Sequence, residues 1–150
     1  MNTKLVSSID AATRSRLAVV GDGALLLEVA RLLSDTQISL VVVCDAVGAM
    51  VGVITKTNIV RQIGHCGGAA CTSTAAEIMT RDVTFCSETD CLPDVLSMMQ
   101  ARGFVHVPVV DAQRKPFGVV NARDALRELW AEGQYEDALL RDYVMGVGYR

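Results

Sequence analysis

The sequence predicts a mixed α/β (α+β) chain made of two copies of one β-α-β-β-α unit. Three observations predict it. Of 150 residues, 51% are hydrophobic and 21% charged, which is enough apolar surface for a packed core and too much for a disordered chain. The chain repeats itself at one constant offset, setting Asp45 on Asp111, Gly52 on Gly118, Val53 on Val119 and Asn58 on Asp124. Within each copy, helical spacings of three and four alternate with β-branched runs.

Residues 1–16 read as an N-terminal segment, and the first unit as 17–64. That unit opens on a short extended piece, Leu17 to Val20, and a polar turn, Gly21 to Gly23. Leu25, Val29, Leu32 and Leu33 then mark one apolar helix face. Two β-branched runs follow, Leu40 to Cys44 and Met50 to Thr55, split by a turn at Asp45 to Ala49. A last helix starts near Thr55. Small residues between Gly64 and Ser73 read as a linker, and 65–79 as linker and helix.

The second unit, 80–130, repeats the order. Val83 to Cys86 is the extended piece and Ser87 to Asp90 the polar turn. Pro93 falls in the first turn of the next helix, where its missing N–H costs little. Leu92, Val95, Leu96 and Met99 form that helix's apolar face. The strands are Val105 to Val110 and Phe117 to Val120, and a helix starts near Asn121. Residues 131–150 read as a C-terminal helical segment with Leu139, Leu140, Tyr143 and Val144 apolar. A unit of about 50 residues buries too little to stand alone, so the two are expected to pack against each other.

Composition excludes several functions. A net charge of −3 and seven aromatic residues argue against a phosphate-binding face or a base-stacking platform for nucleic acid. The apolar runs are too short to span a bilayer, so the expectation is a soluble, cytoplasmic chain. Five cysteines in no secreted-domain spacing read as reduced thiols.

The repeated strand-to-helix junctions carry the chemistry. They are Gly52-Val53-Ile54-Thr55-Lys56-Thr57-Asn58 and Gly118-Val119-Val120-Asn121-Ala122-Arg123-Asp124. A helix N-terminus presents free N–H groups and positive potential, which suit a phosphate. Thr55 adds a hydroxyl and Lys56 a cation. Asn58 or Asp124, one turn further on, can accept from a ribose diol. Capping explains the same residues without any ligand, because Thr55 and Asn121 are good N-caps.

These junctions, together with Met79-Thr80-Arg81-Asp82-Val83 and Gly103-Phe104-Val105-His106-Val107-Pro108-Val109-Val110-Asp111, resemble the cystathionine-β-synthase (CBS) domain, present here twice over about residues 15 to 130. The resemblance implies two repeats joined through their sheets about a pseudo-twofold axis, with two clefts between them. It implies an adenosine-containing regulatory ligand (AMP, ADP, ATP, NAD(H) or S-adenosylmethionine), no required cofactor, no catalysis, and assembly of two pairs into a homodimer. A separate regulated protein is then the expected partner, with no nucleic acid or membrane.

Carried onto this chain, the family's Gly-x-x-Thr/Ser-x-x-Asp motif falls on Gly52, Thr55 and Asn58, and on Gly118, Asn121 and Asp124. The first copy lacks the carboxylate and the second lacks the hydroxyl. Retention of Asp124 favours the second copy as ribose site. Its adenine pocket is expected from Val83, Thr84, Val105, His106, Val107 and Pro108. The first copy's is expected from Leu17, Ala18, Ser39, Leu40 and Val41. Arg123, Lys56 and Arg81 are the expected phosphate contacts.

Two alternatives remain: a structural dimerisation module that binds nothing, favoured by both motif departures, and a redox or metal sensor built on His65, Cys66 and Cys71. Three soft ligands are one short of a usual structural zinc site. Cys44, Cys86 and Cys91 read as small core residues. No acid–base or nucleophile set is visible, so no catalytic or metal-ligating residue is assigned.

Overall fold

The computed structural model describes residues 4–66 and 72–131. Among the described residues, five strands and six α-helices follow in the order α1 (Asp10–Ser15), β1 (Val19–Gly21), α2 (Leu26–Leu33), β2 (Leu40–Cys44), β3 (Met50–Thr55), α3 (Lys56–Cys66), α4 (Ala75–Ile78), α5 (Leu92–Arg102), β4 (His106–Val110), β5 (Pro116–Asn121) and α6 (Ala122–Ala131). A 3₁₀ turn, Val6–Ile9, precedes α1. The mixed α+β class and its small sheets are as the sequence predicts.

The first half holds a three-stranded sheet in the order β1-β2-β3, with β1 parallel and β3 antiparallel to β2. The second half holds the β4-β5 hairpin. Both hairpins shift register one residue before the end of their first strand, at Val43/Cys44 and Val109/Val110. Those positions are related by the same offset as Gly52 and Gly118, so the repeat extends to an irregularity of the ladder. Val83 to Cys86 forms no strand. Only Cys86 pairs there, its N–H donating to Pro108 O at 2.9 Å and its carbonyl accepting from Val110 N at 2.9 Å. The strand expected from Val105 begins at His106; the Val105 carbonyl, accepting from Ala122 N at 2.8 Å, makes the ladder bond that closes the His106–Asn121 pair at the end of the hairpin. Helix α3 runs on to Cys66, so Gly64, His65 and Cys66 are helical and not linker. Cys71 and the segment containing Leu139, Leu140, Tyr143 and Val144 lie outside the described residues.

The period of two along β2 sorts its side chains between two cores. Val41 and Val43 pack with Val20, Val29 and Ile54 under the helices of the first half. Leu40, Val42 and Cys44 turn the other way and meet Met50, Val53, Val110 and Val119, which join the two halves. Arg114 strengthens the joint: its carbonyl accepts from Met50 N at 2.8 Å.

The segments leading into each half are exchanged. Val6 and Ile9 belong to the core of the second half, with Leu92, Leu96, Met99 and Leu129. Ala75 and Ile78 belong to the core of the first, with Val29, Ile54 and Ile59. Helix α4 starts with a capping box, Thr74 and Glu77 satisfying each other's backbone ends, so even one turn is fixed firmly enough to deliver Ile78. Each lead-in crosses over a glycine. A Cβ on Gly118 would lie 2.7 Å from the Thr13 backbone, and one on Gly52 would lie 2.9 Å from the Thr80 carbonyl. Only glycine lets the chains approach this closely.

Candidate functional site

The exchange of lead-ins builds a cavity between the halves. Its volume is about 180 Å³, and its lining is Leu40, Val53, Thr55, Asn58, Thr80, Asp82, Val83, Thr84, Phe104, His106 and Pro108. The backbone that places the second half's lead-in is a reciprocal pair of bonds. Thr80 N donates to Val53 O at 2.8 Å, and Val53 N donates to Thr80 O at 3.0 Å.

Thr55 and Asn58 close one end of the cavity. Asn58 Oδ1 accepts from Thr55 N and from Thr55 Oγ1, both at 2.9 Å. Its Nδ2 donates to Ile78 O and to Thr80 Oγ1, both at 3.2 Å. All four bonding positions of the amide are therefore used. This is half of a capping box on α3, fused to a clamp on the lead-in of the other half. An aspartate here would lack the two N–H donors, which explains the amide at a position where the repeat elsewhere carries a carboxylate.

The other motif position is engaged differently. Arg16 donates from Nε to Asp124 Oδ2 at 2.5 Å and from Nη2 to Oδ1 at 3.1 Å, and its Nη1 reaches Gln37 O at 3.4 Å. The Asp124 side chain is 7% exposed. Asn121, also buried, accepts from Arg123 N at 2.9 Å and so caps α6.

At the far wall, His106 is largely buried and its Nδ1 has no partner. Burial pushes its pKa below the ordinary 6.5, so the ring is neutral near pH 7. Thr84 Oγ1 accepts from Arg102 Nη1 at 3.0 Å, leaving its own hydrogen free to donate into the cavity. Burial pushes the Cys86 thiol up to about 12 and raises Cys44 as well, so neither is a reactive thiolate. Cys91 is half-buried. His65 is exposed in the last turn of α3.

Sequence reasoning groups the pocket by copy, whereas the cavity between the halves is lined from both. Thr55 and Asn58 of the first half meet Val83, Thr84, His106 and Pro108 of the second, with Leu40 reaching across. Asp124 instead pairs with Arg16, which also donates to Gln37 O of the first half. The expected pocket residues Val41 and Val107 face the cores, because alternate strand residues point to opposite sides. Leu17 packs against the joint between halves and Ala18 against the first core. Ser39 is half-buried ahead of β2, and Val105 is exposed. Lys56, Arg81 and Arg123 are exposed and outside the lining; Arg81 donates to Ala76 O. Sequence reasoning misses Val53, Thr80, Asp82 and Phe104 as lining residues. The repeat carries a signal for two of them: its offset sets Thr80 on Arg14 and Asp82 on Arg16, in the segment that crosses between halves.

Two repeats that exchange lead-ins and enclose a shared cavity define a paired-repeat module. The CBS domain family model matches residues 6–65 and 75–131, and the chain belongs to that family. The solved CBS domain pair of protein MJ0100, in complex with 5′-methylthioadenosine and S-adenosyl-L-methionine, is 25% identical, with a TM-score of 0.72 over 87% of this chain and 99% of that one. An uncharacterized 17.7 kDa protein of Acidianus ambivalens is 26% identical over 125 residues, 83% of this chain and 74% of that one. L-aspartate semialdehyde sulfurtransferase of Methanocaldococcus jannaschii is 31% identical over 102 residues, 68% of this chain but 19% of the enzyme. Among the described residues, no helix is long and apolar enough to cross a membrane.

Proposed function

We propose that the protein is a non-catalytic regulatory module that binds an adenosine-containing ligand in the cavity between its two halves. The observation that carries this reading is the shared cavity itself. An apolar slot walled by Leu40, Val53, Val83 and Pro108 suits a purine ring, and the hydroxyls of Thr55, Thr80 and Thr84 with His106 supply polar contacts around it. Because the walls come from both halves, a ligand bridges them and biases how they pack, which is what a sensor requires. The adenosine ligands of the MJ0100 pair support the same class of ligand. The module works as a homodimer in the cytoplasm and passes its state to a separate protein. No cofactor is needed.

Thermal unfolding with and without adenosine, 5′-methylthioadenosine, S-adenosylmethionine, AMP and ATP tests the reading. A ligand at about a hundred times its Kd stabilises the native state by about 2.7 kcal/mol. Absence of stabilisation by all five overturns it. That outcome would leave the second reading, a structural module, which is favoured by the internal satisfaction of both Asn58 and Asp124.

A further inference from the structure

Resting on that reading, we propose that Asp82 determines which adenosine the cavity takes: one whose 5′ substituent is neutral or positively charged, in preference to a 5′-phosphate. Asp82 lines the cavity, and no hydrogen bond or ion pair holds its carboxylate among the described residues. It is the one charged side chain of the described lining, since His106 is neutral. Lys56, Arg81 and Arg123 lie outside. Arg102 approaches from outside the lining and spends one donor on Thr84.

The repeat shows how the charge arises. Asp82 is the repeat counterpart of Arg16, as Asp124 is the counterpart of Asn58. In one pairing a cation meets a carboxylate and the two neutralise each other. In the other an amide, fully bonded within the protein, shares its cavity with an unpaired carboxylate. The carboxylate absent at position 58 is thus present at position 82, where no described residue pairs with it. A 5′-phosphate brings roughly 1.5–2 negative charges into the same cavity, whereas a sulfonium or an ammonium brings the complementary charge. Asp82 is exposed, so the attraction is modest and falls with salt.

Titration calorimetry of the whole chain with 5′-methylthioadenosine, S-adenosylmethionine and AMP tests the assignment. The expected order of affinity is S-adenosylmethionine, then 5′-methylthioadenosine, then AMP. Asp82→Asn should cut the S-adenosylmethionine to 5′-methylthioadenosine ratio about threefold to tenfold, with little change for the neutral thioether. Asp82→Lys should bring AMP ahead of S-adenosylmethionine. An exposed position tolerates both variants, and thermal unfolding verifies that they fold. Tightest binding by AMP in the wild type, lost in Arg102→Gln, overturns the proposal while leaving the adenosine reading intact. So does an unchanged ratio in Asp82→Asn. Binding of none of the three overturns both.

Discussion

The Arg16 guanidinium closes on the Asp124 carboxylate in a two-pronged contact between positions far apart in sequence. It ties the end of α1 to the first turn of α6, and Gln37 O takes a further Arg16 donor. The fork geometry and low exposure make this pair unlike an ordinary surface bridge. It also explains why α1 stays on β5, although α1 is only six residues long.

Breaking that pair should be costly from either side. Arg16→Ala leaves a buried carboxylate with only the distant, exposed Arg127 at 3.9 Å. The expected loss is about 2–4 kcal/mol. Asp124→Ala should cost a similar amount by stranding the guanidinium. The double variant Arg16→Ala with Asp124→Ala should cost less than the sum, because neither charge is then left unpaired. Denaturant unfolding of the four proteins in the cycle measures the coupling. A sum that is simply additive would mean the pair contributes nothing.

The two crossing glycines make a paired prediction. Gly52→Ala places a methyl group 2.9 Å from the Thr80 carbonyl, and Gly118→Ala places one 2.7 Å from the Thr13 backbone. Backbone cannot rotate away as a side chain can, so each should lose about 1–3 kcal/mol. Gly52→Ala should also weaken any ligand of the cavity, since it displaces Thr80 and with it Asp82. Gly118→Ala lies on the other crossing and should leave that affinity nearly unchanged. Chemical denaturation and calorimetry together separate the two effects.

Much of this architecture is legible in the sequence. Leu40 to Cys44 and Met50 to Thr55 are strands at the expected bounds, because a β-branched run ending in an Asp-led turn admits little else. The internal repeat also delivers both strand-to-helix junctions. What the pattern does not carry is which half each lead-in joins. Val6 and Ile78 are apolar in either arrangement, and nothing local distinguishes packing on one's own sheet from packing on its twin. The cavity depends on that choice, so Asp82 and Thr80 escape a reading that assigns pockets copy by copy. Val83 to Cys86 fails as a strand for a related reason: apolar content is present, but only Cys86 lies against β4.

Asn58→Asp restores the family's motif residue, yet it should destabilise the protein. The carboxylate would still accept from Thr55, but it would face the Ile78 carbonyl at the place where Nδ2 now donates. Two lost donors, to Ile78 O and to Thr80 Oγ1, and one acceptor–acceptor contact should cost about 1–3 kcal/mol, since the Thr80 hydroxyl can turn to donate to the carboxylate. The loss should register as a lower Tm at pH 7. A more stable Asn58→Asp protein would show that the clamp on the lead-in carries no weight.

His106 gives the stability a pH dependence of known sign. Burial lowers its folded-state pKa below 6.5, the ordinary value that the unfolded chain retains. As pH falls through about 6.5, the unfolded chain takes up a proton that the folded chain does not, and stability declines. The decline stops once pH passes below the folded value, where both states are charged. The counterpart of His106 in the repeat is Leu40, which fills the same strand position with an apolar side chain. His106→Leu should therefore fold, relieve the unpartnered Nδ1, and flatten the fall in Tm between pH 7 and pH 5 relative to the wild type. All other side chains are common to the two proteins, so the difference between the two curves reports the imidazole. Parallel curves would mean that the ring is solvated well enough to accept its proton in the folded state.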